Sequence, residues 1–469
     1  MLVDQESKSI CMVCDFFYPN IGGVETHIWS LSQCLIASGH KVIVITHHYD
    51  KNNRNGIRIM TNGLKVYYLP LVILLDQIKV PALISFFILF RNILIRESIN
   101  IIHGHQSTSP LTHECLLYAR ILGYKTCFTD HSLFGFSDTF SIHINKILEM
   151  TLSDIDQIIC VSDACTENLI VRASIHHKNV TTIPNAVDCT RFIPKNFNQK
   201  QSNNNNDYHN KTSKFTIIMM NRLVYRKGVN LMIEIIPTIC KQFNQVHFMI
   251  GGDGPKRRAL EDMCSLHNLQ SRVSLLGAVP HDEIRNILIK GDLFLNCSLT
   301  ESFCVAILEA ASCGLPVLST NVGGIPEILP ESMLNVVEPS SIELIKALQN
   351  IISNNNIGNI KSNLTPMERH LKVKSLYNWH TIAKKTEKVY EKALRKEANS
   401  IPTQLLKRLS AGMVVGPILC MIVLVLHGYR IILEIFLPAA NIEAAIGLKP
   451  SNRNNSRKRE DVIVEDVIE

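Results

Sequence analysis

The sequence predicts an α/β chain made of two doubly wound domains in tandem, followed by one transmembrane helix near the C-terminus. Short, mostly apolar runs alternate with amphipathic helical stretches, and this alternation stops and begins again at Phe215. A run at 409–429 contains no acidic residue, Lys or Arg. Its length of about 21 residues is enough for a helix to cross the hydrocarbon layer of a bilayer.

Length and composition exclude several classes of protein. Of the 469 residues, 46% are hydrophobic and 19% are charged, so the chain is neither disordered nor an ordinary polytopic membrane protein. The formal charge of +7 suits an anionic lipid surface or phosphate-bearing substrates and does not indicate nucleic acid. The 14 cysteines are scattered and no secretory leader is recognisable, so we expect a reducing compartment.

The first domain is expected to begin with a β-α-β unit. Its predicted elements are a strand at 10–14, a helix at 24–37 closed by Gly39, and strands at 41–46, 100–103, 125–129 and 157–161. The apolar run PALISFFILF, at 81–90, is too short to span a bilayer. It predicts a helix that lies either in the core or in the membrane interface.

The second domain repeats the alternation. In order, the pattern predicts strand FTIIMM, helix VNLMIEIIPTICKQF, strand VHFMI, helix PKRRALEDMCSLH, strand VSLLG, helix HDEIRNILI, strand DLFLN, helix FCVAILEAASC and strand PVLST. Two Asn-rich stretches have almost nothing to bury. We expect a disordered insertion at 195–214 and a loop expansion at 350–363.

The predicted boundaries place the first domain at 1–194, the insertion at 195–214 and the second domain at 215–365. A helical return and linker at 366–408, the transmembrane helix at 409–433 and a polar tail at 434–469 complete the chain. Lys407, Arg408 and Arg430 bracket the apolar run, which favours a membrane helix over a buried core helix. Because no leader precedes them, both domains are expected to stay cytosolic.

Three motifs each lie between a predicted strand and a predicted helix. NIGGVE contains Gly22 and Gly23, which let the backbone approach a bulky group beside a helix N-terminus that can bind phosphate. NRLVYRKG contains Arg222 and Lys227, which offer positive charge to a diphosphate. Taken singly, the first motif also fits a tight turn and the second a solvated basic turn.

The third motif, LTESFCVAILE, contains two carboxylates eight residues apart. If the interval is helical, it rises about 12 Å. Glu301 and Glu309 would then bind the two ends of an extended ligand, with phosphates between them at the helix N-terminus.

These motifs resemble those of the retaining glycosyltransferases of the GT-B fold, a large family that includes bacterial phosphatidylinositol mannosyltransferases and sucrose and glycogen synthases. The resemblance is closer still to the branch that starts glycosylphosphatidylinositol anchor synthesis. It is carried by GGVETHIWSLSQCLI, LKVYYLPL, TDHSLFGF, IICVS, IPNAVD, NRLVYRKG, GGDGPKR, LLGAVPH, SLTESFCVAILEAASCG and VGGIPEILP. The match runs from about residue 10 to residue 329 and continues through the membrane helix. Asp253 in GGDGP departs from the Glu that is common there.

The resemblance implies retaining transfer without a metal or cofactor, in a cleft between the domains. The implied donor is UDP-N-acetylglucosamine, held mainly by the second domain. The implied acceptor is phosphatidylinositol, bound at the first domain and the membrane. The resemblance also implies a complex with other subunits in the endoplasmic reticulum membrane, with both domains on its cytosolic face.

The resemblance also implies roles for individual residues. Glu309 would hold the ribose hydroxyls, and Glu301 the sugar hydroxyls, assisted by backbone N–H groups near Ser302 and Phe303. Arg222 and Lys227 would hold the diphosphate. The remaining implied site residues are Gly22, Gly23 and Gly252 in donor binding, with Gly23 closing over the diphosphate, and His131 near the sugar and its anomeric carbon.

Other interpretations of single motifs carry less weight. His103, His105, Asp130 and His131 end neighbouring strands and would meet at one sheet edge, where a metal site is an alternative. Asp154-Ile155-Asp156 imitates a metal-binding DxD motif but precedes a strand. The pair in CMVC, at 11–14, lies within the first strand and predicts core packing rather than a redox dithiol.

Two other function classes fit the sequence less well. A nicotinamide oxidoreductase would need G-x-G-x-x-G with an acidic residue about 20 positions on, and neither glycine-rich loop has that spacing. A scaffold that only binds a nucleotide sugar would have no evident use for Arg222, Lys227, Glu301 and Glu309 together. A different lipid acceptor stays an alternative to phosphatidylinositol.

Overall fold

The computed structural model describes residues 7–20, 22–49, 55–75, 78–79, 85–135, 138–195, 214–353, 364–445 and 462–463. The chain divides into two compact units. The first unit combines Met1–Ile183 with His380–Glu469, and the second is Pro184–Trp379. The C-terminal segment therefore folds with the first unit.

The first unit is built on a nine-stranded sheet. The strands before residue 184 are β1 Ser9–Val13, β2 Lys41–His47, β3 Gly56–Ile59, β4 Lys65–Leu69, β5 Ile73–Leu75, β6 Ile78–Lys79, β7 Ile101–His105, β8 Lys125–Asp130, β9 Gln157–Cys160 and β10 Val180–Thr182. Together with the short β17 Val462–Ile463, the sheet order is β10-β9-β8-β7-β1-β2-β4-β3-β17. The pairs from β10 to β4 are parallel, β3 pairs antiparallel with β4 and β17 antiparallel with β3, and β5 and β6 form a separate ribbon.

Helices cover the first sheet, and local sequence explains where they begin and end. They are α1 Gly23–Ala37, α2 Ser85–Arg96, α3 Pro110–Leu122, α4 Thr139–Leu152 and α5 Asp163–Ala173. The Ser109 side chain accepts from the Thr112 N–H and so caps α3, whose first residue is Pro110. Gly123 ends α3 at a φ of 90°, a left-handed conformation that glycine adopts without strain.

The second unit is a six-stranded parallel sheet with helices between the strands. Its elements are β11 Phe215–Met220, α6 Val229–Gln242, β12 Val246–Gly251, α7 Arg257–Leu266, β13 Val273–Gly277, α8 Ile284–Leu288, β14 Leu293–Asn296, α9 Val305–Ser312, β15 Val317–Thr320, β16 Leu334–Val337, α10 Ser341–Ser353 and α11 Pro366–Leu376. The order is β13-β12-β11-β14-β15-β16. The apolar side chains of β11, β12 and α6 form its core.

Three further helices follow, α12 Trp379–Arg395, α13 Ile401–Leu409 and α14 Val415–Phe436. In the described part of the chain, α14 is the one helix whose length and apolar composition suffice to cross a membrane. Its outer face exposes apolar side chains, among them Met421, Val425, Ile432 and Phe436.

Within the first unit, its N-terminal part contacts the C-terminal segment on both sides of α14. Before α14, Lys407 of α13 pairs with the buried Asp154 at 3.2 Å. At its far end, Glu434 pairs with Arg91 of α2 at 2.5 Å. Beyond α14, the Ala445 N–H donates to the Arg96 carbonyl at 2.8 Å.

The prediction of two doubly wound α/β domains in tandem is confirmed, with differences in detail. The apolar helix begins at Val415 rather than at 409, and it extends past Arg430 and Glu434 to Phe436. The part of PALISFFILF that is described belongs to α2, and its three phenylalanines, Phe86, Phe87 and Phe90, are buried, as the core alternative predicts.

The two Asn-rich predictions fall mostly on residues that are not described. Of the insertion, 196–213 lie outside the described residues, and of the second stretch 354–363 do. The expected loop does not begin at Asn350, because α10 continues through Ser353.

Candidate functional site

The loops at the carboxyl edge of the second sheet gather most of the predicted donor residues. β11 lies between β12 and β14, so chain connections leave in opposite directions on its two sides, and ligands of open α/β sheets bind at such a switch point. The loop after β11 meets the loop after β14, where the Leu299 N–H donates to the Arg226 carbonyl at 2.8 Å. At this junction Gly228 has a φ of 72°, and a Cβ on it would lie 1.7 Å from the Cys297 carbonyl oxygen.

The loop after β12 packs against the same segment. The Asn221 N–H donates to the Gly251 carbonyl at 3.1 Å, and the Leu223 N–H donates to the Asp253 carbonyl at 2.9 Å. Gly252 is the residue between Gly251 and Asp253, whose carbonyls accept these two bonds, and its own N–H donates to the Gly277 carbonyl at 2.7 Å. The structure therefore brings the backbone at Gly252 beside the loop that carries Arg222, whose side chain is exposed.

Gly252→Ala tests how much this packing matters. Gly252 has a φ of 128°, and a Cβ there would lie 1.7 Å from the Asn221 carbonyl oxygen, so the substitution forces two backbone loops apart. We expect it to lower the free energy of unfolding by about 2–4 kcal/mol, because both backbone strain and a clash are introduced. Denaturant unfolding followed by fluorescence measures this. Gly39→Ala is the control, since it also has a positive φ of 91° but no atom within 4 Å of the added Cβ. Equal losses for the two variants would contradict the clash.

Lys227 and Glu301 are in direct contact. The Lys227 ammonium forms an ion pair with Glu301 Oε1, and the Ser298 hydroxyl donates to the same oxygen at 2.9 Å. The two side chains are 23% and 10% exposed, so a ligand can still reach them. The residue predicted to bind the diphosphate, Lys227, is thus next to the residue predicted to bind the sugar, Glu301, at the carboxyl edge of the sheet.

Glu309 lies inside α9, and Ser302 and Phe303 lie before it. Cys304 is the N-cap of α9, so only 305–309 of the interval between the two glutamates is helical. The rise of about 12 Å expected for eight helical residues is therefore wrong. Ser302, Phe303 and Glu309 are all largely buried, each at 8% exposure.

Two residues of the second unit that the sequence patterns did not indicate contact this site. His281 Nε2 lies 3.2 Å from Glu309 Oε1, and His281 Nδ1 lies 3.1 Å from Arg191 Nη1. His281 belongs to the motif LLGAVPH, which indicated the family resemblance but no role for the histidine. Arg191 carried no signal at all.

The first unit contains the other predicted residues. Gly22 is the N-cap of α1 with an extended backbone, and a Cβ on it would lie 2.4 Å from Glu25 Oε2. Gly23 is the first residue of α1, and a Cβ there would meet no atom of the described residues within 4 Å. The backbone at Gly23 therefore has free space beside it, which a ligand would need in order to approach closely.

His131 follows β8 and lies among other histidines. His131 Nε2 is 3.4 Å from His105 Nδ1, and the ring centroids of His27 and His131 are 4.7 Å apart. Burial lowers the pKa of His105 and of His131 well below the usual range. Both imidazoles are therefore neutral at physiological pH, so each can act as an acceptor as well as a donor.

The histidines that could form a metal site differ from those that the sequence indicated. His103 is bound through both ring nitrogens, to the Tyr390 and Thr129 hydroxyls, each at 2.7 Å. Asp130 pairs with Arg172 at 2.7 Å. In their place His27 joins His105 and His131, and one nitrogen of each lies within 4.8 Å of the others, a spacing that a metal ion can bridge.

Two other sequence alternatives lose their basis. Arg120 pairs with Asp154 at 3.2 Å and with Asp156 at 2.7 Å, so both carboxylates of the DxD-like motif are occupied by a buried arginine side chain. Cys11 and Cys14 are buried in and next to β1, and burial raises the pKa of both thiols well above the usual value. They pack in the core, as predicted.

Comparisons with known proteins agree with this fold. Sucrose-phosphate synthase from Thermosynechococcus elongatus has a similar fold, with a TM-score of 0.66 and 19% identity over 82% of this chain and 98% of that one. HepE from Anabaena, in complex with UDP and glucose, has a TM-score of 0.61 and 16% identity over 82% of this chain and 99% of that one. Residues 200–368 match the profile of the family described as glycosyl transferases group 1. The fold is thus the GT-B fold of a glycosyltransferase.

The particular family follows from closer relatives. Residues 47–138 match the profile described as PIGA (GPI anchor biosynthesis). A phosphatidylinositol N-acetylglucosaminyltransferase subunit of Arabidopsis thaliana is 46% identical over 93% of this chain and 93% of its own length. The corresponding Homo sapiens protein is 45% identical over 94% of this chain and 88% of its own length. The chain belongs to the PIGA family of phosphatidylinositol N-acetylglucosaminyltransferase subunits.

Proposed function

We propose that this chain transfers N-acetylglucosamine from UDP-N-acetylglucosamine to phosphatidylinositol with retention, the first step of glycosylphosphatidylinositol anchor synthesis. Family membership supports the reaction. The observation that carries the donor part of the proposal is the contact between Lys227 and Glu301 on the same sheet edge as Glu309. This set supplies positive charge for a diphosphate and carboxylates for sugar and ribose hydroxyls.

Each donor residue of the second unit has one role in the proposal. Glu309 accepts hydrogen bonds from the ribose hydroxyls, and Glu301 accepts from the sugar hydroxyls, assisted by backbone N–H groups near Ser302 and Phe303. Arg222 and Lys227 hold the diphosphate beside Gly252. As the bond to the sugar breaks, negative charge grows on the diphosphate, and cations already in place stabilise it without reorganising.

Retention does not require a carboxylate nucleophile. The acceptor hydroxyl attacks from the face that UDP leaves, a new C–O bond forms as the bond to the phosphate oxygen breaks, and that oxygen takes the hydroxyl proton. The protein then contributes charge and positioning. In the first unit, the proposal assigns Gly22 and Gly23 to the diphosphate and His131 to the sugar.

Membrane attachment is assigned to α14. Its exposed apolar face and the basic residues near it suit a lipid surface, and the ion pair of Lys407 with Asp154, just before α14, keeps the first unit next to the membrane. A lipid acceptor requires such proximity. We place the chain in the endoplasmic reticulum membrane, with both units on the cytosolic face and with companion subunits of the transferase.

Sugar transfer by membranes containing the chain and its companion subunits tests the proposal. Labelled UDP-N-acetylglucosamine and labelled GDP-mannose are compared with phosphatidylinositol as acceptor, with and without a chelator. We expect a labelled lipid from the UDP donor alone, in equal amounts with chelator. Absence of product would overturn the activity, and label in a lipid other than phosphatidylinositol would support the alternative acceptor. Loss of product with chelator would reopen the metal site at His27, His105 and His131.

A further inference from the structure

His281 lies between an arginine and the carboxylate that the proposal assigns to the donor ribose. Arg191 Nη1 is 3.1 Å from His281 Nδ1, and His281 Nε2 is 3.2 Å from Glu309 Oε1. A guanidinium has only N–H donors and stays charged in proteins, so His281 Nδ1 must accept this hydrogen bond. An imidazole whose Nδ1 accepts carries its proton on Nε2. His281 therefore donates to Glu309.

The segment that carries Arg191 is fastened to the helix that carries Glu309. The Ser312 hydroxyl on α9 donates to the Phe192 carbonyl at 2.6 Å. The Phe192 ring is 1% exposed and meets the His281 ring edge to face, with the centroids 5.7 Å apart. The imidazole is thus held by packing as well as by its two hydrogen bonds, so its orientation relative to Glu309 is fixed.

We propose that Arg191 and His281 are positioning residues for donor binding. Arg191 selects the tautomer of His281, and His281 holds Glu309 Oε1, so that Oε2 is turned toward the ribose hydroxyls of a nucleoside diphosphate sugar. The inference rests on the proposed function, because it assumes that Glu309 binds the ribose. Holding the carboxylate in its binding orientation before the donor arrives removes an ordering cost from binding. Neither Arg191 nor His281 takes a direct part in breaking the bond between the sugar and the phosphate.

Two amide variants of His281 distinguish the role of Nε2 from the role of Nδ1. His281→Gln places an amide N–H near the position of Nε2 and keeps a donor for Glu309. His281→Asn places its amide oxygen near the position of Nδ1, which keeps an acceptor for Arg191 but leaves Glu309 without the donor. We expect His281→Asn to raise KM for UDP-N-acetylglucosamine about tenfold, the value of one hydrogen bond to a charged group, with kcat within about threefold. His281→Gln should stay within about threefold of wild type in both constants.

Arg191→Met tests whether Arg191 selects the tautomer of His281. Without the arginine, His281 is free to adopt the other tautomer, so KM for the donor should rise about threefold, and less than that when His281→Asn is already present. Arg285→Met is the matched control. Arg285 donates to the Ile193 carbonyl at 3.0 Å and so holds the same segment through a bond that does not involve His281. An equal rise in KM for Arg285→Met and Arg191→Met would overturn the tautomer role.

The measurement uses membranes with the complete transferase, and KM for phosphatidylinositol is determined in parallel. We expect that KM to be unchanged in every variant. Glu309→Gln is included to keep the two proposals apart. If Glu309→Gln leaves the donor KM unchanged, the assignment of Glu309 to the ribose fails. If Glu309→Gln raises it and His281→Asn does not, only the positioning role is overturned.

Discussion

Replacing Glu309 with alanine is expected to reduce sugar transfer by at least about a hundredfold, because in the proposed function the ribose hydroxyls of the donor would lose the carboxylate that accepts from them. Glu309 is 8% exposed and lies inside α9, so water replaces its carboxylate poorly. The side chain of its partner His281 is 24% exposed, so water can reach the histidine N–H when the carboxylate is gone. The fold should therefore survive the substitution, and the chain should still be recovered in the membrane fraction.

The measurement is transfer of label from UDP-N-acetylglucosamine, normalised to the amount of membrane-bound chain. Glu261→Ala is the control, since this carboxylate also lies on a helix of the second unit but is 49% exposed and pairs with Arg257. It should transfer at the wild-type rate. Normal transfer by the Glu309→Ala variant would refute the donor assignment.

The sequence predicted the central strands of both sheets well, and the edges less well. The strand predicted at 10–14 is β1 at Ser9–Val13, and FTIIMM coincides with β11. These strands have helices on both faces, so nearly every side chain is apolar and the run is easy to recognise. Strands β3 and β4, nearer the edge, were not predicted. GIRI is only four residues long and contains an arginine, and the two tyrosines of KVYYL, although buried, interrupt the aliphatic run that is typical of central parallel strands.

The site was predictable in its motifs but not in its pairs. Sequence spacing correctly indicated that Lys227 follows β11 and that Glu301 and Glu309 lie on the two sides of the start of the helix after β14. It did not indicate that Lys227 would pair with Glu301, 74 positions away, or that His281 would bond to Glu309. Periodicity reports on a single element, whereas these contacts depend on which strands become neighbours. The same limit explains why His27 was not counted with His105 and His131.

Removing the charge of Arg172 is expected to cost the first unit about 3–5 kcal/mol of its free energy of unfolding, because a carboxylate would be left buried without its cation. The side chains of Arg172 and Asp130 are both 0% exposed and lie 2.7 Å apart. The Ser107 hydroxyl and the Ser132 N–H also donate to Asp130, at 2.6 and 3.0 Å, but neither carries charge. Arg172→Met should therefore unfold at a clearly lower denaturant concentration.

Two further variants separate the ion pair from the packing around it. The double variant Arg172→Met with Asp130→Asn should recover much of the loss, since the unpaired charge is then gone. Lys346→Met breaks an ion pair whose side chains are 61% and 43% exposed, and should change the free energy of unfolding by less than about 1 kcal/mol. If the double variant were no more stable than Arg172→Met alone, the loss would come from packing around the arginine and not from the unpaired carboxylate.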